Sequence, residues 1–471
     1  MKSVIAAIYA PRPVCLMCSR KMAFNLSPNL VSLNRLLVAF VLIFCAGSLG
    51  AQPLLTLKEA IAAALENNPD VKAAKAELDM ANESNTYGNA GFLPELNLNT
   101  GRAFQQNDIQ QRFANGLVVD RPGVGTNQFN AGISLSWTLY DGGQMFVVKK
   151  RQNAAVTAAD LRWQNLIINL SDSVSSAFYQ LVLAGMELRL LEEEEKLVAE
   201  RLKMASEQLR LGLRSKSDLL LAQIDINQIQ NRIRIQQKQT RIRKGNFNLL
   251  LGRDAETDFQ VEENPGEVNA ADFRQLKAKV MGQNMQIRYQ KQNLEIARLN
   301  VKQLKTRALP QITLNSAFNF AQTRNQAGFA LFNRSYGPGI GLTFSMPLFQ
   351  GTSVARLVKI GNIDLEIRNL QLKSIENRIL AQVWRLVQNT EIQLETIETE
   401  NRTIALAMEN AGIIRERFAL GQSGSLELKN AEFQLTAAKN RLLQARFQAR
   451  ILEIQLLRYT GELKINEAEK K

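Results

Sequence analysis

The sequence predicts a mixed α and membrane-β fold: four transmembrane strands per chain, continuous with a long α-helical coiled-coil part, the whole internally duplicated. Three observations predict it. Four segments of roughly ten residues alternate apolar with small or polar side chains. No proline stands between Gly143 and Pro265, nor after Pro347, across stretches of helical pattern. The same parts come twice, in the same order, half a chain apart.

The alternating segments come first. Leu96 and Leu98 oppose Asn97 and Asn99. Phe129, Ile133, Leu135, Trp137 and Leu139 oppose Asn130, Gly132, Ser134, Ser136 and Thr138. In the second half Ile312, Leu314, Phe318 and Phe320 oppose Thr313, Asn315 and Asn319, and Ile340, Leu342, Phe344, Met346 and Leu348 oppose Gly341, Thr343 and Ser345. Period two means strand, and this length with one apolar, aromatic-tipped face is the lipid-out, water-in pattern of a membrane barrel. Four strands cannot close a useful pore. An open sheet in lipid would expose unpaired backbone at its edges, at several kcal/mol per group, so several chains must share one barrel. Pro94 and Pro310 stand where a helix hands over to a strand, a place that tolerates a missing N–H.

The duplication sets Asn68 against Asn284 and FLPELNLNT (from Phe92) against ALPQITLNS (from Ala308). Gly142 then matches Gly351, and LGLRSKSDLLLAQ from Leu211 matches LGQSGSLELKNAE from Leu420, Gly212 against Gly421. Only the stretch between the two strands of each half differs in length, as a surface loop would. The first repeat covers 51–252, with strands at about 94–104 and 129–140. A joining segment, 253–272, carries Asn264–Pro265–Gly266. The second repeat covers 273–463, with strands at about 310–320 and 337–349, and a charged tail, 464–471, ends the chain.

Each half then gives a very long helix, from about Gln144 to Arg210 and from about Ser353 to Ala419, each roughly 100 Å at 1.5 Å per residue. The final helix carries a heptad seam: Leu428, Ala431, Leu435, Ala438, Leu442, Ala445, Ala449, Leu452 and Leu456. Its partner in the first half begins alike, Leu219, Ala222, Ile226, Ile229, Ile233, but Gln236 and Thr240 follow, a face open to water.

Composition removes whole classes of function. There is no His, and Cys15, Cys18 and Cys45 all fall in residues 1–50. That segment reads as a secretory signal peptide: Arg35, an apolar run Leu36–Ala46, then Gly47, Ser48, Gly50 and Ala51, with cleavage near Gly50–Ala51 and Met22 as an alternative start. Phe44 before Cys45 argues against a lipoprotein, and the CLMC pair leaves with the leader. The exported chain then lacks the parts for zinc sites, thiol catalysis or His-based triads. No catalytic, cofactor or metal residue is expected, and no enzyme. The net charge is +14, but its Lys and Arg are interspersed with acids along helices. That is a solvated surface and not a nucleic-acid site.

These residues resemble the TolC-type outer-membrane efflux protein family, over essentially the whole exported chain from LTLKEAIAAALENNP at Leu55 to YTGEL at Tyr459. The resemblance implies a homotrimer with a twelve-stranded barrel in the lipid of the outer membrane and a helical tunnel through the periplasm. It also implies two partners at the far end, a periplasmic adaptor (membrane fusion protein) and an inner-membrane pump of RND, ABC or MFS type. It places adaptor contacts on the turns, Leu211, Gly212, Leu213 and Leu420, Gly421, Gln422. It places a periplasmic gate at Ser217, Asp218 and Glu427. Glu427 replaces the family's Asp, Asn430 a second ring carboxylate, and Ser423 an Arg that would reach across the gate. A plainer reading makes Asp218 and Glu427 simple helix-start acids.

The function expected is a passive exit duct for efflux or type I secretion, its cargo (drug, metal ion or protein) chosen by the pump. The rivals are a free-standing porin, which needs no helices of this length, and a periplasmic adaptor or coiled-coil scaffold without membrane strands.

Overall fold

The computed structural model describes residues 54–263, 266, 268–328 and 330–463. The expected signal peptide, with Cys15, Cys18 and Cys45, lies outside these residues, as do Asn264, Pro265 and the charged tail.

The first half opens with β1 (Leu54–Leu55), α1 (Leu57–Asn67) and α2 (Pro69–Ser84). The hairpin β2 (Glu95–Arg112) and β3 (Val118–Asp141) follows, then α3 (Gln144–Arg210) and α4 (Lys216–Leu250). A short β4 (Gln260–Val261) pairs parallel with β1. The second half runs α5 (Phe273–Gln283), α6 (Met285–Thr306), β5 (Gln311–Asn325), β6 (Phe332–Ser345), α7 (Ser353–Ala419) and α8 (Ser425–Thr460).

Local chemistry starts these elements in matched ways. The Asn68 side chain accepts from the N–H groups of Asp70 and Val71, and the Asn284 side chain from those of Gln286 and Ile287. Each Asn thereby ends one helix and caps the next, satisfying donors that have no partner inside a helix. α3 and α7 both have 67 residues, about 100 Å. Their bounds are those expected from the proline-free pattern.

The four long strands form one antiparallel sheet in the order β2-β3-β5-β6. They outrun their expected bounds at the hairpin end and stop at Ser345, short of Pro347. The apolar alternation marks only part of each strand. Beyond it polar residues keep pairing, Gln111 with Val119 and Arg324 with Phe332, because the ladder needs only backbone groups. The stretch expected as a loop is therefore mostly paired ribbon.

The helices carry the core. α4 packs on α3, α8 on α7, and α6 lies between α3 and α7. One core cluster joins Phe178, Tyr179 and Phe247 of the first half to Phe447 and Ile451 of α8. Phe259, from the joining segment, is buried in it against Phe247. A second cluster gathers Val280, Ile287, Val383 and Leu452. On α8 the predicted seam is buried at Leu428, Ala431, Ala438, Ala445, Ala449, Leu452 and Leu456, and half-buried at Leu435 and Leu442. α8 also buries Phe447, Ile451 and Ile454 on a second face, because it packs against α3 as well as α7. On α4 the seam does not turn to water at Gln236. Its amide donates to the Ala184 carbonyl and to Glu187, both at 3.1 Å.

Candidate membrane sheet and candidate gate

The register sorts the sheet into two faces. Residues directly opposite in a sheet share a face. One face carries the rows Leu98–Ile133–Phe318–Pro338, Trp137–Leu314–Leu342 and Ile312–Phe344. The other carries Asn97–Ser134–Ala317–Gly339 and Asn99–Gly132–Asn319–Gly337. The apolar face is uncovered: Leu98 is 74 % exposed and Ile340 80 %. A soluble protein hides such a face, and a face of this size exposed is a site for lipid or protein.

Aromatic side chains bracket it. At the helix end the Trp137 indole donates to the Phe92 carbonyl at 2.9 Å, and Phe92 meets Tyr87 and Phe146 edge-on. At the hairpin end stand Phe104, Phe129, Phe320, Phe332 and Tyr336. Two girdles flanking an apolar band are the mark of a membrane barrel wall. The outer strands β2 and β6 each have one unpaired edge, and Pro338 sits on β6, where an edge position spares the ladder a missing donor.

The opposite end of the molecule is made by two turns. α3 closes on Gly212 (φ +69°), whose N–H donates to the Leu209 carbonyl at 3.0 Å, while Leu213 donates to Gln208 at 2.8 Å. α7 closes on Gly421 (φ +75°), which donates to Phe418 at 3.0 Å, and Gln422 donates to Arg417 at 2.8 Å. This double bond pattern needs a left-handed residue, hence Gly. All six predicted contact residues, Leu211, Gly212, Leu213, Leu420, Gly421 and Gln422, are exposed. Three are leucines that nothing among the described residues covers.

The predicted gate residues follow directly. Ser217 and Asp218 occupy the second and third positions of α4, and Glu427 the third of α8. Ser215 caps α4: its hydroxyl accepts from the Asp218 N–H at 3.3 Å and donates to the Asp218 carboxylate at 3.0 Å. Glu427 pairs with Arg417 at 3.7 Å, both about half exposed. Each acid thus bonds within its own turn, and no bond among the described residues joins the two.

What links the turns is Arg214, which sequence reasoning missed. Its guanidinium donates to the Ser423 carbonyl and, at 3.2 Å, to Gln208, and it lies 4.7 Å over the Phe418 ring. Gln208 in turn donates to the Phe418 carbonyl at 3.2 Å. Position 423, where the resemblance implies an arginine crossing the gate, holds a buried Ser; the arginine that crosses comes from the other turn.

Behind the turns lies a buried charge knot, also missed. Arg201 of α3, only 3 % exposed, donates to Asp225 of α4 at 2.8 Å and to Glu432 of α8 at 2.7 Å. Lys429 reaches Asp225 at 2.6 Å, and Arg415 of α7 reaches Glu432 at 3.3 Å. All four long helices meet in it. Burial pushes the Glu432 carboxyl above its ordinary range, against the pull of the Arg201 and Arg415 guanidinium groups. A sequence signal existed: Asp225 interrupts the apolar stripe Ala222–Ile229, and Arg201 stands between Val198 and Ala205 at the same spacing. Among the described residues no cluster of His, Cys, Asp and Glu could hold a metal ion.

Comparison with known proteins agrees with this geometry. The profile of the family "Outer membrane efflux protein" matches residues 60–255 and 278–462. Outer membrane protein TolC of Escherichia coli (strain K12) is 20 % identical over 412 residues, 84 % of this chain and 80 % of its own. Alkaline protease secretion protein AprF of Pseudomonas aeruginosa is 22 % identical over 411 residues, 85 % of this chain and 83 % of its own. The solved structure of CusC, described as forming a transmembrane channel, superposes with a TM-score of 0.74 at 18 % identity, covering 86 % of this chain and 91 % of that one.

Proposed function

The chain belongs to the outer membrane efflux protein family, and we propose that three copies of it form the outer-membrane exit duct of an efflux pump or type I secretion system. It is an outer-membrane channel protein, and it works with partners. The observation that carries the trimer is the four-stranded sheet, apolar on one face, with β2 and β6 unpaired. In lipid those edges must pair, and β6 of one copy can add to β2 of the next. Three copies give twelve strands. The matched caps at Asn68 and Asn284 and the matched turns at Gly212 and Gly421 support a duplicated chain, so that six similar units surround one axis.

The polar face of the sheet, rich in Asn, Ser, Thr and Gly, lines the water-filled side. The helices continue the wall for roughly 100 Å. Their far end, with Leu211, Leu213 and Leu420 uncovered, receives the hairpins of a periplasmic adaptor, which brings an inner-membrane pump. Ser217, Asp218 and Glu427 line the constriction there. Three copies of two carboxylates attract cations at a narrow point.

Two measurements test this. Single-channel current of the purified protein in a planar bilayer should be blocked by divalent cations, and the double variant Asp218→Asn/Glu427→Gln should weaken that block; equal block removes the gate assignment. Photo-crosslinking in cells from Leu213 and Leu420 should capture an adaptor. Capture of none, with solutes leaking through the duct, would make the protein a free-standing porin.

A further inference from the structure

The two membrane hairpins differ in charge. β2 and β3 carry Glu95, Asp108, Asp120 and Asp141 among their residues, but from Gln311 to Ser345 the second hairpin has no carboxylate at all. It has two arginines, Arg324 and Arg334, and both lie on the apolar face, in the rows Asn127–Arg324–Phe332 and Phe129–Gln322–Arg334. Their guanidinium groups share one ring, 5.8 and 5.3 Å from Phe332. Arg334 is further held by Gln322, whose side-chain oxygen accepts from Nε at 3.3 Å and Nη2 at 3.1 Å. Both are exposed, and neither has an ion pair among the described residues.

Height locates them. Arg334 stands eleven residues from Ser345, at the helix end of β6. At about 3.4 Å per residue and a tilt near 40°, that is about 28 Å up the wall, just beyond an apolar band about 25 Å tall. The pair therefore sits at headgroup level on the lipid side, at the end away from the helices. Arg is the side chain whose planar fork matches phosphate oxygens.

We infer that Arg324 and Arg334, with Phe332 between them, form a docking site for the phosphate groups of the outer leaflet's phosphorylated glycolipid, one site on each copy. The inference rests on the sheet lying in the membrane. The site is cationic without a counter-ion of its own, fixed by an aromatic ring and an amide, and open only toward lipid. Glycolipid phosphates supply the missing charge and anchor the hairpin in the outer leaflet.

The test uses the full-length oligomer in bilayers holding either the phosphorylated glycolipid or its enzymatically dephosphorylated form. Bound lipid is counted by native mass spectrometry, and channel current is recorded from the same preparations. The wild type should retain the phosphorylated form about tenfold better, and Arg324→Gln/Arg334→Gln should lose that preference while still conducting. Lys at both positions keeps the charge but gives up the fork and the stacking, so it should fall between wild type and Gln. Equal retention of both glycolipids by a conducting wild type, or a Gln double variant that keeps the wild-type preference, overturns the site while leaving the duct intact. A protein that neither inserts nor conducts overturns both.

Discussion

The two turns at the tip are alike in backbone and unlike in support. Both end on a left-handed Gly with the same pair of closing bonds. But α4 starts from Ser215, whose hydroxyl bonds both the N–H and the carboxylate of Asp218, whereas α8 starts from Gly424, which has no side chain to offer. The second turn is held from outside instead, by Arg214 at the Ser423 carbonyl and by Arg201 at Glu432. The first hairpin is self-capped, and the second depends on the first.

The largest effect should come from the knot. Arg201→Met leaves Asp225 and Glu432 buried without their shared cation and should cost about 3–5 kcal/mol, read as lost amide-exchange protection at the tip. Arg417→Ala, which removes the exposed pair with Glu427 and a long bond of 3.5 Å to the Gln422 carbonyl, should cost no more than about 1 kcal/mol. Equal losses would show that the knot is not what holds the second hairpin.

A smaller effect, of about 1 kcal/mol, is expected from Ser215→Ala, confined to the start of α4. Gly424→Ser should gain a few tenths of a kcal/mol at the start of α8 and narrow the difference between the turns. The backbone at Gly424 (φ −81°, ψ 154°) is already that of a capping residue, and a Cβ there meets nothing within 4 Å. If Gly424→Ser instead lowers protection at α8, the asymmetry has another source.

The smallest effect is in pH. The Glu432 carboxyl is raised above its ordinary value of 4.5, so the folded tip binds that proton more tightly than the unfolded chain does. The stability it contributes is fullest below the ordinary value and is lost as pH rises through the raised one. Relative to Glu432→Gln, the wild-type tip should gain exchange protection as pH falls from about 7 to about 5. A difference that stays flat, or reverses, would mean that the guanidinium groups outweigh burial.

The halves also differ at the strand-to-helix corner. Gly143 takes φ +81° before α3, and its counterpart before α7 is Thr352 at φ +62°, the one non-Gly residue with positive φ among those described. A β-branched side chain is strained there. Thr352→Gly should raise thermal stability by about 1 kcal/mol.

Much of this molecule was legible in its residues because the signals are local and periodic. Alternation in steps of two marked the strands, though only as far as their apolar part, since pairing beyond it rests on backbone groups that every residue has. Freedom from proline, with a Gly at each stop, fixed both 67-residue helices. The two turns came from the doubled LG phrase and its spacing, whereas the expected gate and adaptor contacts came only from the family resemblance. By itself, then, the sequence determined the type and order of the elements and the length of the two longest helices.

Only the tertiary structure decided which charges meet. Arg201 and Glu432 are 231 residues apart, and Arg214 and Ser423 209. Nothing periodic in either segment names its partner. Gln236 read as a water-facing break in a seam, and the packing of α4 on α3 turned it into a donor to the Ala184 carbonyl and the Glu187 carboxylate. Periodicity tells which face of a helix is buried; the crossing of four helices tells what that face is buried against, and a buried charge survives only where that crossing supplies its counterpart.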